Sequence, residues 1–126
     1  MDYRLEQLDI LIDLHNEARI SRWLWKSKPL EKNIVLMKYA QRWANKMAYN
    51  NKLFHGNMKN IMSLGFNNVA ENIAYGQNST ELVMKTWMNS LGHRTNILNS
   101  KMTEIGCGMS LSENGKLYWC VCFGSQ

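Results

Sequence analysis

Three side chains of this 126-residue chain have the type and setting for chemistry: His55, Glu71 and His93. Glu71 stands in Val69-Ala-Glu71-Asn72-Ile-Ala-Tyr-Gly76, an apolar, strand-like run interrupted by an acid and an amide. A carboxylate taken out of water is costly unless it is paired or bound to a cation. Glu71 therefore needs a partner, and His55, His93 or a metal ion are the chemical candidates; the alternative is a carboxylate that accepts backbone amides and holds a loop. His55 and His93 are read in matching settings, each just past a helix and beside a glycine, Gly56 or Gly92. Carbonyls left open at a helix C-terminus favour a cation, which predicts an easily protonated His93 unless a metal or burial opposes it. The alternative for His93 is a ring that merely caps a helix.

The elements that must position these groups follow from periodicity. Arg4 to Ile20 carries Leu5, Leu8, Leu11, Ile12, His15, Ala18 and Arg19 at spacings of three and four, an amphipathic helix. His15, Asn16 and Arg19 bring polar groups to its apolar edge, where they are expected to bond loops packed on the helix. Ser21 to Leu30 is a Trp- and Lys-rich connector closed by Pro29, and Trp23 and Trp25 are expected to cover the core rather than offer a stacking platform. A second helix spans Asn33 to Asn51, with Leu36, Ala40, Ala44 and Met47 on one side, and Met58 to Gly65 is a loop or helical turn. Asn78-Ser-Thr-Glu81 has the pattern of a capping box, opening a helix through Trp87 that Gly92 would stop. Asn114-Gly115 between Ile105–Ser112 and Lys116–Phe123 signals a hairpin. A two-residue turn there sets Cys107 opposite Cys122 and makes that pair the favoured disulfide; slipping the turn by two selects Cys120 instead. Both hairpin faces are apolar, so the sheet should be covered on both sides in a three-layer arrangement.

The chain is long enough for one folded domain, residues 1–126, with 45% hydrophobic and 20% charged residues. A net charge of +5 suits acidic partners, but the cations are not gathered into a run and no aromatic-basic motif speaks for nucleic acid. No stretch is apolar for long enough to cross a bilayer. Met1-Asp-Tyr-Arg shows no signal-peptide core, which leaves an intracellular location open. Three cysteines are too few, and odd in number, for a disulfide framework.

Taken in order, His15-Asn16-x-x-Arg19, Ala40-Gln-x-Trp43-Ala44, Leu53-x-His55, Ala70-Glu71-Asn72-Ile73, Trp87-x-x-Ser90-x-Gly92-His93-Arg94-x-Asn96-Ile97-Leu98 and Ile105-Gly106-x-Gly108 form a series. The series resembles the CAP superfamily (cysteine-rich secretory protein, antigen 5, pathogenesis-related 1) in its bacterial form, from about Leu11 to Phe123. The resemblance implies an α+β fold, a three-layer α-β-α sandwich with a mainly antiparallel sheet. It also implies an extracellular or cell-surface setting and a cleft where two histidines and two glutamates converge, often on a divalent metal. His55 and His93 match the histidines and Glu71 the first glutamate, with Ser90, Asn72, His15, Asn16 and Arg19 supporting the cleft. Ser90 stands where the second glutamate is expected and cannot act as acid or base at neutral pH. Two imidazoles and a carboxylate would suit zinc. Members of the superfamily are described as lipid or sterol binders, signalling ligands, proteases or nucleases. Three readings remain: a binding module for a lipid or cell-envelope component, a metal-dependent hydrolase with Glu71 as ligand or base acting on peptide, nucleic acid or cell-wall substrates, or a module whose histidines only stabilise the loops.

Overall fold

The computed structural model describes residues 3–126. Its elements are α1 (Tyr3–Ser21), a 3₁₀ turn (Trp23–Trp25), β1 (Glu31–Lys32), α2 (Ile34–Asn50), α3 (Met58–Met62), β2 (Asn68–Tyr75), α4 (Thr80–Met88), α5 (Leu91–Leu98), β3 (Glu104–Leu111) and β4 (Leu117–Ser125). One sheet runs in the order β1-β3-β4-β2; β1 is parallel to β3 and the other pairs are antiparallel. Strand alternation sorts the side chains to two faces. Ile105, Cys107, Trp119, Val121 and Phe123 meet Leu8, Leu11, Val83, Trp87 and Ile97 of α1, α4 and α5. Ile73, Tyr118, Cys120 and Cys122 meet Leu36, Ala40, Ala44 and Met47 of α2. This is the α-β-α sandwich expected from the two apolar hairpin faces. Among the described residues no helix is long and apolar enough to cross a membrane.

The hairpin register differs from expectation by one residue. Ser112 N donates to Lys116 O (2.8 Å) and Gly115 N to Ser112 O (2.9 Å), so the loop is Glu113-Asn114-Gly115, with Gly115 at φ +83°. A three-residue loop with its glycine in the left-handed region replaces the two-residue turn. A one-residue shift moves each side chain to the other face: Cys107 now pairs with Val121, and Gly106 and Gly108 with Cys122 and Cys120. Cys107 lies on the α1 side of the sheet and Cys120 and Cys122 on the α2 side, so the expected bridge is absent and all three cysteines are free. The shift also puts the two glycines under α2. A Cβ on Gly106 would overlap the backbone of Leu36 and Met37, and one on Gly108 that of Ala40 and Gln41.

Two local expectations also change. The α4 cap is Ser79, whose Oγ accepts from Leu82 N (3.1 Å), not Asn78. Trp23 and Trp25 are exposed rather than folded over the core.

Candidate functional site

His55 is delivered by the exit from α2. Asn51 turns the chain in the left-handed region (φ 48°), its N–H returning to Ala48 O and that of Lys52 to Met47 O. Trp43 then holds the segment, with Nε1 donating to Phe54 O (2.8 Å) and its ring edge-on to Phe54. Glu71 comes from the middle of β2 on the α2 face and its side chain is almost fully buried. Its Oε1 accepts from His55 Nδ1 and from Gly56 N, both at 2.9 Å. A carboxylate only accepts, so the proton is on His55 Nδ1. His55 keeps a 62% exposed side chain, and among the described residues its Nε2 has no hydrogen-bond partner.

His93 sits differently from the sequence expectation. Gly92 does not end a helix: α4 stops at Met88, Asn89 and Ser90 break the direction, and Ser90 at once starts α5. His93 is therefore in the first turn of α5, where the unpaired amides oppose a positive charge instead of favouring one. Its pKa is lowered, first by burial and then by the nearby His55 ring. Ser90 Oγ makes no cap bond to the helix and lies 2.9 Å from His93 Nδ1 instead. Asn72, fully buried on the opposite face of β2 from Glu71, donates to His93 O (3.1 Å) and accepts from Asn96 Nδ2 (2.9 Å). Neighbouring residues of one strand thus fix both histidines, Glu71 by its side chain and Asn72 through the α5 backbone. Each imidazole has its Nδ1 engaged and its Nε2 without a protein partner.

Among the described residues, three ligand-type atoms within 4.8 Å of one another are those of Glu71, Cys120 and Cys122, not of Glu71 and two histidines. Cys120 Sγ is 3.9 Å from both Glu71 Oε2 and Cys122 Sγ. These atoms are sealed beneath α2, and burial pushes the Cys120 thiol well above its ordinary range. Cys120 is thereby kept as a protonated S–H packed beside the carboxylate. Tyr39, stacked near parallel on Trp43, presents a buried hydroxyl with no partner; a Cβ on Gly56 would meet that hydroxyl and Glu71 Oε2. Gly56, Tyr39 and Asn96 therefore complete the surroundings of Glu71 and Asn72. Asn96, one helical turn after His93, and Gly56, beside His55, carried a sequence signal; the place of Tyr39 did not.

His15, Asn16 and Arg19 lie on the other side of the sheet. His15 packs against Trp87 and Phe123. Asn16 pairs with both backbone groups of Leu30. Arg19, fully buried, donates to the carbonyls of Lys28 (2.6 Å), Ile97 (2.8 Å), Asn99 (2.9 Å) and Met102 (3.1 Å). Arg19 thus closes the C-terminal end of the helix whose first turn carries His93. A surface hollow of about 480 Å³ is lined by Asn45, Tyr49 and Ser110–Glu113 among others and includes none of these residues.

The chain matches the cysteine-rich secretory protein family over residues 12–123 and belongs to that CAP family. It is 36% identical over 106 residues to the uncharacterised protein YkwD of Bacillus subtilis (strain 168), covering 78% of this chain and 40% of YkwD. It is 32% identical over 107 residues to the uncharacterised membrane protein YlbC of the same organism, covering 79% of this chain and 30% of YlbC. The chain thus spans less than half the length of these relatives. An outer surface protein from Borrelia burgdorferi superposes with a TM-score of 0.87 at 25% identity, covering 100% of this chain and 96% of that one. The structure of NaASP2 with Zn2+ superposes with a TM-score of 0.74 at 16% identity, covering 94% and 79%.

Proposed function

We propose that this chain is a CAP binding module whose metal-capable site is formed by His55 and His93, and that it acts outside the cell or at its surface on a lipid or cell-envelope component. The observation that carries the reading is the shared setting of the two imidazoles, near enough for the His55 ring to lower the His93 pKa. Each has Nδ1 bonded behind it, to Glu71 or Ser90, and Nε2 left open, the second-sphere pattern by which proteins aim histidine at a metal. Zinc is the ion that two neutral imidazoles with open positions suit best. The low proton affinity of His93 favours its ligating, neutral form. A bound ion would supply a Lewis-acidic anchor for an oxygen-bearing ligand. NaASP2, which shares the fold, has been crystallised with Zn2+, and the similar Borrelia burgdorferi chain is an outer surface protein.

Glu71 supports His55 in this reading instead of acting as a base. Its Oε1 is committed to His55 and Gly56, and its Oε2 faces buried sulfur. With Ser90 in place of a second carboxylate, a binding role is favoured over a hydrolase. Calorimetry with zinc on chelator-stripped protein tests this. The expected result is micromolar or tighter binding that His55→Ala and His93→Ala each abolish. No binding by the folded protein, or binding that survives both substitutions, would overturn it.

A further inference from the structure

The segment from Ser21 to Lys28, between α1 and β1, leaves its largest apolar residues in water. Trp23 and Leu24 are 74% and 75% exposed and Trp25 40%, with Ile20 at 61% on the last turn of α1 beside them. The tip is nonetheless ordered by its backbone: Trp25 N donates to Arg22 O (2.9 Å), Lys26 N to Trp23 O (3.0 Å), and Lys26 closes the turn at φ 58°. Trp43, Trp87 and Trp119 each donate Nε1 to a carbonyl. Trp23 and Trp25 find no acceptor among the described residues, so their indole N–H groups are left for an outside one.

The charges within the segment are all of one sign. Arg22, Lys26 and Lys28 are exposed, no acidic residue stands between Glu17 and Glu31, and Lys101 borders the hollow beside Trp25. The shape also restricts the occupant. Successive residues of a 3₁₀ turn point about 120° apart, so Trp23, Leu24 and Trp25 splay around a protruding tip instead of forming one flat face. A fluid interface receives a splayed tip without a matching pocket. Tryptophan suits that interface because its ring is apolar and its N–H can bond headgroup oxygens.

We infer that the Trp23-Leu24-Trp25 turn is a docking tip for the surface of an anionic lipid bilayer, inserting its apolar side chains while Arg22, Lys26, Lys28 and Lys101 pair with headgroup phosphates. This adds a contact surface separate from the histidine site and does not depend on zinc.

Cosedimentation with phosphatidylglycerol/phosphatidylcholine vesicles tests it. The wild-type chain is expected to bind these vesicles and to bind pure phosphatidylcholine much more weakly. The Trp23→Ser/Leu24→Ser/Trp25→Ser variant, whose changes are all at the surface and whose folding circular dichroism verifies, should lose at least about a hundredfold in partitioning. Arg22→Gln and Lys26→Gln should each cost about fivefold and reduce the salt dependence. Added chelator should leave vesicle binding as it is, so failure of the zinc reading leaves this result readable. No binding by the folded wild-type chain, equal binding to neutral vesicles, or binding that survives the triple substitution would overturn the inference.

Discussion

Acid should destabilise this protein through a histidine that takes no part in the proposed metal site. His15 is fully buried, with Nδ1 donating to Leu11 O (2.8 Å) and Nε2 facing the core without a partner. Its ring packs against Trp87 (centroids 6.0 Å apart) and Phe123 (5.7 Å). Burial, aided by the Arg19 cation, lowers its pKa from 6.5 to about 4 against the raising effect of the Leu11 bond. The unfolded chain therefore takes up a proton that the folded chain refuses. The stabilising effect is complete above pH 6.5 and falls away as the pH drops from there to about 4. At about 1.4 kcal/mol per pH unit the loss is about 3 kcal/mol, a large share of the ~5–15 kcal/mol typical of a domain. Urea unfolding at intervals from pH 7.5 to pH 4 would measure it, with His15→Phe as the comparison. Phenylalanine removes the titration and the unpartnered nitrogen together, so the variant should lie within about 2 kcal/mol of wild type at pH 7.5 and show a much flatter pH profile. An equally steep profile in His15→Phe would refute the reasoning.

Other outcomes follow from the same geometry. Gly108→Ala should cost roughly 2–4 kcal/mol in denaturant unfolding, since its Cβ would overlap the backbone of α2. Arg19→Met strands four carbonyl acceptors and should cost about 3–5 kcal/mol by the same assay. Glu71→Gln should weaken zinc binding about 10–100-fold in calorimetry without abolishing it, because it removes the charge behind His55 and not a ligand. The three thiols should stay unreactive to a thiol reagent in the folded protein and react fully in denaturant, as all are buried and burial raises Cys107 and Cys120 well above the usual thiol range.

What the sequence made legible was what periodicity and burial energetics control. The amphipathic spacing from Leu8 to Arg19, the alanine side of α2 and the two apolar hairpin faces led directly to the layers. The cost of burying Glu71 demanded a partner, and His55 was among the three named. Three features escaped because one residue of local geometry decides them. Asn114-Gly115 fits a two-residue turn as well as the three-residue loop that forms, and the single-residue difference separates Cys107 from Cys122 across the sheet. Gly92 resembles a helix stop, yet Ser90 had already opened a new helix, which reverses the sign of the dipole at His93. Trp23 and Trp25 have the composition of a core lid; nothing in their spacing shows that the chain between α1 and β1 turns them outward.

Histidine side-chain nitrogen NMR, recorded with and without zinc, tests the central claim most directly. The account predicts that His55 carries its proton on Nδ1 before zinc is added. On addition, the Nε2 resonances of both His55 and His93 should shift together, with Nδ1 of each protonated and His15 unchanged. A His55 proton on Nε2, or a zinc response confined to one ring or absent from both, would contradict it.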